Sequence, residues 1–392
     1  KLTVAVLSYR TRRSNLVHCP VGTERTMPAD YRHVLAPGRI GGMELRNRLV
    51  LAAMWSNLAE PDGTCNERTI AYYEARARGG AGLLVLETSA ACHPNGSTMP
   101  NMLGFSDERF LPGLSALTDR VHRHGAKIVA QLCHGGRMAL EDSAAGRPIP
   151  MPSLVKPGYS DMFKVLTQEE IGHLMKTVAR GDKKPSFYEM TPADIEQTVA
   201  GFAYAASLAE KAGFDGVELH AGHGYLIASF LSPYTNRRTD NYGGSRENRA
   251  RFMLEIIRAV REATSDGFSL LVRLDAREYR VENGIELEDC LVTARLAENA
   301  GVDAIDVSAY GNTAQAIAFT EAPLVHEPGG FIDFTREVKR AVKVPVIGVG
   351  RVEPEVGERC VADGDFDFLA LGRKLSLIHI SEPTRPNAPS RM

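Results

Sequence analysis

Eight short aliphatic runs, each but the last followed by a longer stretch of helical period, most constrain what this chain can become. They read RLVLAAM, AGLLVLETSA, AKIVAQLCH, GVELHAG, SLLVRLDA, AIDVSAY, PVIGVGR and FDFLALGR. None alternates strictly between apolar and polar residues. That is the pattern of strands buried on both faces, which belong to parallel sheets covered by helices. The intervening segments announce their ends. Asn66 precedes ERTIAYYEARAR, Thr191 and Pro192 open the helix that closes near Gly213, Ser245 precedes RENRARFMLEIIRAVREA, and Gly301 follows ELEDCLVTARLAENA. These are the residues that satisfy or terminate helical backbone at each end. Strands and helices in this alternation predict an α/β fold, a (β/α)8 TIM barrel over residues 27–375, rather than an open doubly wound sheet. No GxGxxG sequence follows the first run, which counts against a dinucleotide-binding domain.

Charge and cysteine usage narrow the partners. Lys and Arg number 46 against 48 Asp and Glu, a formal charge of -2, so there is no field to attract nucleic acid or an anionic membrane. The 6 cysteines are scattered without a CxxC pair, which argues against a disulfide framework or a metal knot and makes a reducing cytoplasm the expectation. No apolar run approaches the roughly 20 residues that span a bilayer. The ends differ from the middle. Regular patterning starts after Met27, so residues 1–26 are expected to be a non-native or disordered extension. Prolines stand where a closing helix belongs in SLIHISEPTRPNAPSRM, a segment that resembles a translated sequencing adapter. Residues 376–392 are therefore expected to be a non-native tail, leaving the barrel without its C-terminal helix. More than 50 residues separate the third run from Thr191, and the portion near 155–190 reads as a covering insertion.

In such a barrel, chemistry sits at the C-terminal ends of the strands, where the loops share one mouth. Glu87, Thr88, Gln131, His134, Asp275 and Ser308 stand at strand ends and qualify by position. Arg273 interrupts the apolar run LLVRLDA, and a guanidinium there needs either an anionic ligand or an ion pair with Asp275 or Glu218. Gln131 offers a donor and an acceptor suited to the edge of a heterocycle, or to a neighbouring side chain. The last two runs end in Gly350-Arg351 and Gly372-Arg373. Glycine admits an anion to backbone N–H groups and arginine supplies a fork, so the two pairs together point to phosphate. His220, His223 and Tyr225 crowd the end of the fourth run in HAGHGY. Two imidazoles can polarise one carbonyl oxygen, and a neutral phenol can deliver a proton. The HxxH spacing can also chelate a metal, but no carboxylate or third histidine accompanies it in the motif.

The segments LRNRLVLAAM, AYYEARARGGAGLLVLE, HGAKIVAQLCHGGR, AGFDGVELHAGHGYLIASFLSPYTNRRTDNYGGSRENRARF and PVIGVGR resemble the old yellow enzyme family of NADH:flavin oxidoreductases. The resemblance spans residues 33 to 373 and lies nearest the branch of the 2,4-dienoyl-CoA reductases and trimethylamine dehydrogenase. It implies an FMN-dependent enzyme that uses NADH or NADPH to reduce the C=C bond of an α,β-unsaturated carbonyl compound or enoyl thioester. It further implies that Arg273 and Gln131 meet the flavin's pyrimidine side, that Ala53, Met54 and Thr88 line its ring, and that Gly350, Arg351, Gly372 and Arg373 hold its phosphate. His220 and His223 would bind the substrate carbonyl, with Tyr225 as proton donor. A small-molecule alkene and a second copy of the chain are the partners implied, and an iron-sulfur cluster only for a longer native chain. Two other readings share this scaffold: FMN-dependent amine dehydrogenation or demethylation, and an inactive truncated flavin-binding remnant. Ala53 replaces a proline frequent in the family. Trp55 stands where threonine, cysteine or histidine usually touches the flavin, and an indole there could narrow the pocket or shift the flavin potential.

Overall fold

A computed structural model describes residues 30–155, 167–169, 186–279, 281–311 and 328–375. The expected extension 1–26, the tail 376–392 and most of the segment 155–190 lie outside these residues. All elements below belong to the unit Tyr31–Met392.

Each of the eight aliphatic runs contributes one strand of a closed, wholly parallel barrel. In chain order the barrel strands are Leu49–Leu51, Leu83–Ala90, Lys127–Cys133, Gly216–Ala221, Ser269–Tyr279, Ala304–Gly311, Val346–Gly348 and Phe368–Leu371. Neighbours in sequence are neighbours in the ring, and the eighth strand closes on the first through Ala370 opposite Val50. The expected (β/α)8 barrel is therefore the observed fold.

The helices begin where the capping residues stand. Asn66 accepts the Thr69 amide at 3.0 Å ahead of Glu67–Arg78. Thr191 and Asp194 form a reciprocal capping box at the start of Pro192–Lys211, with Pro192 in the first turn, where its missing N–H costs nothing. Ser245 accepts from the Asn248 amide at 3.2 Å ahead of Arg246–Ala263. At the end of Leu287–Ala300 the chain turns through Gly301 at φ +103°, a conformation that a side chain would strain.

Two apolar layers hold the barrel. Outside it, helix residues such as Phe202, Phe252 and Ile256 pack on the outer faces of the strands, and truncating a phenylalanine of this kind costs about 3–5 kcal/mol. Inside, Val50, Leu83, Val129 and Phe368 fill the base together with Ile40, Met43 and Leu45. Those last three come from a hairpin, Gly38–Ile40 and Met43–Leu45, which the strand reading did not contain. The Ser269 hydroxyl donates to the Ile40 carbonyl at 3.0 Å and ties the plug to the fifth strand. With one end plugged, only the C-terminal end of the barrel is left for a ligand.

The charged tail of the fourth-strand motif carries the chain into the helix Arg246–Ala263. Arg238 Nη1 donates to the carbonyls of Pro152, at 3.1 Å, and Met190, at 2.7 Å. It thereby joins the flanks of the covering segment, whose described ends pair as parallel strands Pro148–Met151 and Ser186–Glu189.

Candidate active site

A cavity of about 410 Å³ opens at the C-terminal mouth of the barrel. Every residue assigned a role above lines it: Ala53, Met54 and Thr88; Gln131, His220 and His223; Tyr225 and Arg273; Gly350, Arg351, Gly372 and Arg373. Strand register explains the grouping. His220, Arg273 and Asp306 are paired across the fourth, fifth and sixth strands and so face the same side of the sheet.

Arg273 is buried, and its Nε lies 3.6 Å from Asp306 Oδ2, an ion pair rather than a hydrogen bond. The pairing expected with Asp275 or Glu218 is thus corrected: the register puts Asp306 opposite, whereas Glu218 is in register with Leu271. Arg273 Nη2 also donates to Ser308 Oγ at 3.3 Å. Asp306 escaped the sequence reading although it carried the signal that exposed Arg273, an ionisable residue inside an apolar run.

Gln131 serves neighbours as well as the cavity. Its Oε1 accepts from the Thr88 hydroxyl at 2.6 Å, and its Nε2 donates to Glu218 Oε1 at 2.7 Å. Glu218 is fully buried, and burial first, then the charge of Asp306, pushes its carboxyl up to about 8. Burial raises Asp275 and Asp306 as well. One guanidinium therefore stands among three buried carboxyls, each of which burial biases toward its protonated form.

The loop HAGHGY is shaped by backbone. His223 adopts φ +60°, a left-handed conformation that costs a residue with a side chain about 1 kcal/mol. Its amide donates to Asp275 Oδ2 at 2.5 Å. Gly224 follows at φ +69°, where a Cβ would meet the Tyr310 ring at 2.8 Å. The turn gathers the three rings, His220 to His223 at 4.7 Å and His220 to Tyr225 at 4.8 Å between centroids, both edge to face.

Both imidazoles are held neutral. Burial, and then the positive charge of Arg273, lowers the pKa of His220 and His223 well below the ordinary histidine value. The Gly222 amide donates to His220 Nδ1 at 3.3 Å, so the ring proton resides on Nε2. His223 Nε2 lies 2.8 Å from Ser308 Oγ. Tyr225 is raised above the ordinary phenol value, chiefly by burial, and keeps its proton throughout the neutral range.

Three strand-end candidates do not line the cavity: Glu87, His134 and Asp275, the last serving the His223 amide. Glu87 accepts from the Ser56 amide and hydroxyl, at 2.7 and 2.6 Å, and braces the loop after the first strand. His134 is buried and accepts the Gly136 amide at 3.1 Å. Phe331 and Lys374 also line the mouth, and neither carried a sequence signal. Phe331 fits closely against Gly350, where a Cβ would meet its ring at 2.6 Å. Among the described residues no three His, Cys, Asp or Glu side chains are grouped to hold a metal ion. No described helix is long and apolar enough to cross a membrane.

Residues 33–383 match the NADH:flavin oxidoreductase / NADH oxidase family. The chain is 38% identical over 357 residues to the NADH oxidase of Thermoanaerobacter brockii, covering 91% of this chain and 50% of that protein. It is 32% identical over 337 residues to the NADPH dehydrogenase of Clostridium acetobutylicum, covering 86% and 89% respectively. A solved 2-naphthoyl-CoA reductase in complex with 2-naphthoyl-CoA superimposes with a TM-score of 0.76 at 29% identity, over 89% of this chain and 51% of that one. This chain thus spans about half the length of two of these relatives and most of the third. It belongs to the NADH:flavin oxidoreductase / NADH oxidase family.

Proposed function

We propose that this member of the NADH:flavin oxidoreductase family binds FMN at its barrel mouth and, with NADH or NADPH as donor, reduces the C=C bond of an α,β-unsaturated carbonyl compound or enoyl thioester. One observation carries the reading: two neutral imidazoles and a neutral phenol share a cavity with a buried guanidinium.

The residues present fit FMN. Arg273 Nε, buried and without a hydrogen-bond partner, suits an electron-rich heterocycle edge. Gly372 leaves room beside Met54, where a Cβ would approach Sδ to 3.1 Å, and with Gly350, Arg351 and Arg373 it offers a phosphate cradle. Ala53, Met54, Thr88 and Gln131 would border the ring. Held by these residues, FMN would supply two-electron hydride-transfer chemistry between a nicotinamide and the alkene.

The protein's part is to hold an oxygen and move a proton. His220 presents its Nε2–H to the substrate carbonyl oxygen. The His223 ring, now against Ser308, exchanges that hydroxyl for the same oxygen. Neutral donors can strengthen their hydrogen bonds as negative charge grows on that oxygen, and Arg273 supplies the nearest positive charge. Tyr225 holds its proton until it passes to the α-carbon, while hydride adds to the β-carbon, so that one C–H bond forms at each end of the former double bond. A place near the 2,4-dienoyl-CoA reductase branch is supported by the similarity to 2-naphthoyl-CoA reductase and by a relative about twice this chain's length.

The test is anaerobic turnover of 2-cyclohexenone with NADH or NADPH by the purified, FMN-loaded protein, beside trimethylamine with an artificial acceptor. Enone-dependent nicotinamide oxidation and formation of cyclohexanone are expected. Flavin reduction by the amine with an inert enone would replace this reading by the dehydrogenase one.

A further inference from the structure

We propose that Trp55 is a specificity-determining residue, stacking its indole on an aromatic ring that the substrate carries beyond its reacting carbonyl. The inference rests on the reading that the carbonyl docks at His220 and His223.

Trp55 is the chain's only tryptophan. It lines the cavity, yet the residue is 41% exposed. Large aromatic side chains left open at the rim of a concave site gain most by covering a planar partner. The other large exposed apolar residues among those described, Leu154, Phe187 and Tyr204, do not line the cavity.

The backbone beside the indole is also anchored. The next residue, Ser56, donates from both its amide and its hydroxyl to the Glu87 carboxylate, and the Glu87 amide in turn donates to the Tyr73 hydroxyl at 2.7 Å. The loop that carries Trp55 is therefore braced against the second strand, and its backbone is already ordered before binding. Barrel order places the first strand, which Trp55 follows, across the ring from the fourth and fifth strands, which carry His220, His223 and Arg273. A ligand held by its carbonyl at the histidines can extend toward the indole, and a flat ring uses that face better than an alkyl chain does.

Cinnamaldehyde and trans-2-hexenal share the same enal and differ in an aryl against an alkyl tail. Binding of both is measured by calorimetry on the purified protein with its flavin, and in the wild type also by quenching of Trp55 emission. Trp55→Ala should weaken cinnamaldehyde about tenfold, as loss of an aromatic contact does, and leave hexenal within about twofold. Trp55→Phe should stay within about threefold of the wild type for cinnamaldehyde, because a smaller aromatic face remains. Equal losses for both aldehydes, or no loss for either, would overturn the proposal. Wild-type turnover of hexenal tests the catalytic reading separately. A protein that binds cinnamaldehyde through Trp55 but reduces neither aldehyde keeps the stacking site and loses the ene-reductase assignment.

Discussion

Arg273 and Asp306 occupy paired positions on the fifth and sixth barrel strands, and Nε of one lies 3.6 Å from Oδ2 of the other beneath the cavity. Removing one member of a buried pair strands the other. Asp306→Ala should lower the unfolding free energy by about 3 kcal/mol, and Asp306→Asn by less, because the amide oxygen still faces the guanidinium. Urea unfolding of the two variants checks the order. An alanine variant as stable as the wild type would deny the pair a structural role.

Glu218 gives the barrel a pH signature. Its carboxyl, pushed up to about 8 by burial and Asp306, holds a proton that the unfolded chain has already released at neutral pH. The folded state then binds more protons, so the contribution is full below the ordinary carboxyl value and is lost as pH rises through about 8. Between pH 6.5 and 8 the loss amounts to roughly 1.5 kcal/mol. Below about 6.5 the neutral His220 and His223 act in the opposite direction, which is why the window starts there. Glu218→Gln should flatten this part of the stability profile, and an unchanged slope would show that the proton resides elsewhere.

Tyr225→Phe separates the two halves of the proposed reaction. The nicotinamide half needs no proton from the phenol, whereas alkene reduction does. Stopped-flow traces should show flavin reduction near the wild-type rate and reoxidation by 2-cyclohexenone slowed about 100-fold or more. Equal slowing of both halves would assign Tyr225 to binding instead.

The phosphate cradle can be tested by comparing two flavins. Arg373→Ala should weaken FMN about tenfold and leave riboflavin, which lacks the phosphate, nearly unchanged. Fluorescence titration of the flavin-free protein gives both constants. Loss of both flavins together would point to a damaged barrel rather than a lost phosphate contact.

How much of this was legible in advance follows from what each feature depends on. Strand number, parallel direction and the caps at Asn66, Thr191 and Ser245 depend on short-range periodicity and on a few backbone groups, so the chain displays them one residue at a time. Strand-end position was likewise enough to bring His220, His223, Tyr225, Gln131 and Arg273 to one mouth. Glu87 and His134 satisfied the same positional rule and turned out to serve backbone amides, because position at a strand end does not state which way the following loop leans.

What tertiary structure alone decided is partnership. Asp306 rather than Asp275 or Glu218 answers Arg273, and Ser308 meets His223, because closing the sheet chooses the residues that stand level across strands far apart in sequence. The hairpin through Ile40 and Met43 plugs the base for the same reason: short apolar stretches become a floor only when a ring of strands exists to be filled. Local sequence set the kind of each element and the chemical groups available. Register and closure, properties of the whole barrel, set which of those groups meet.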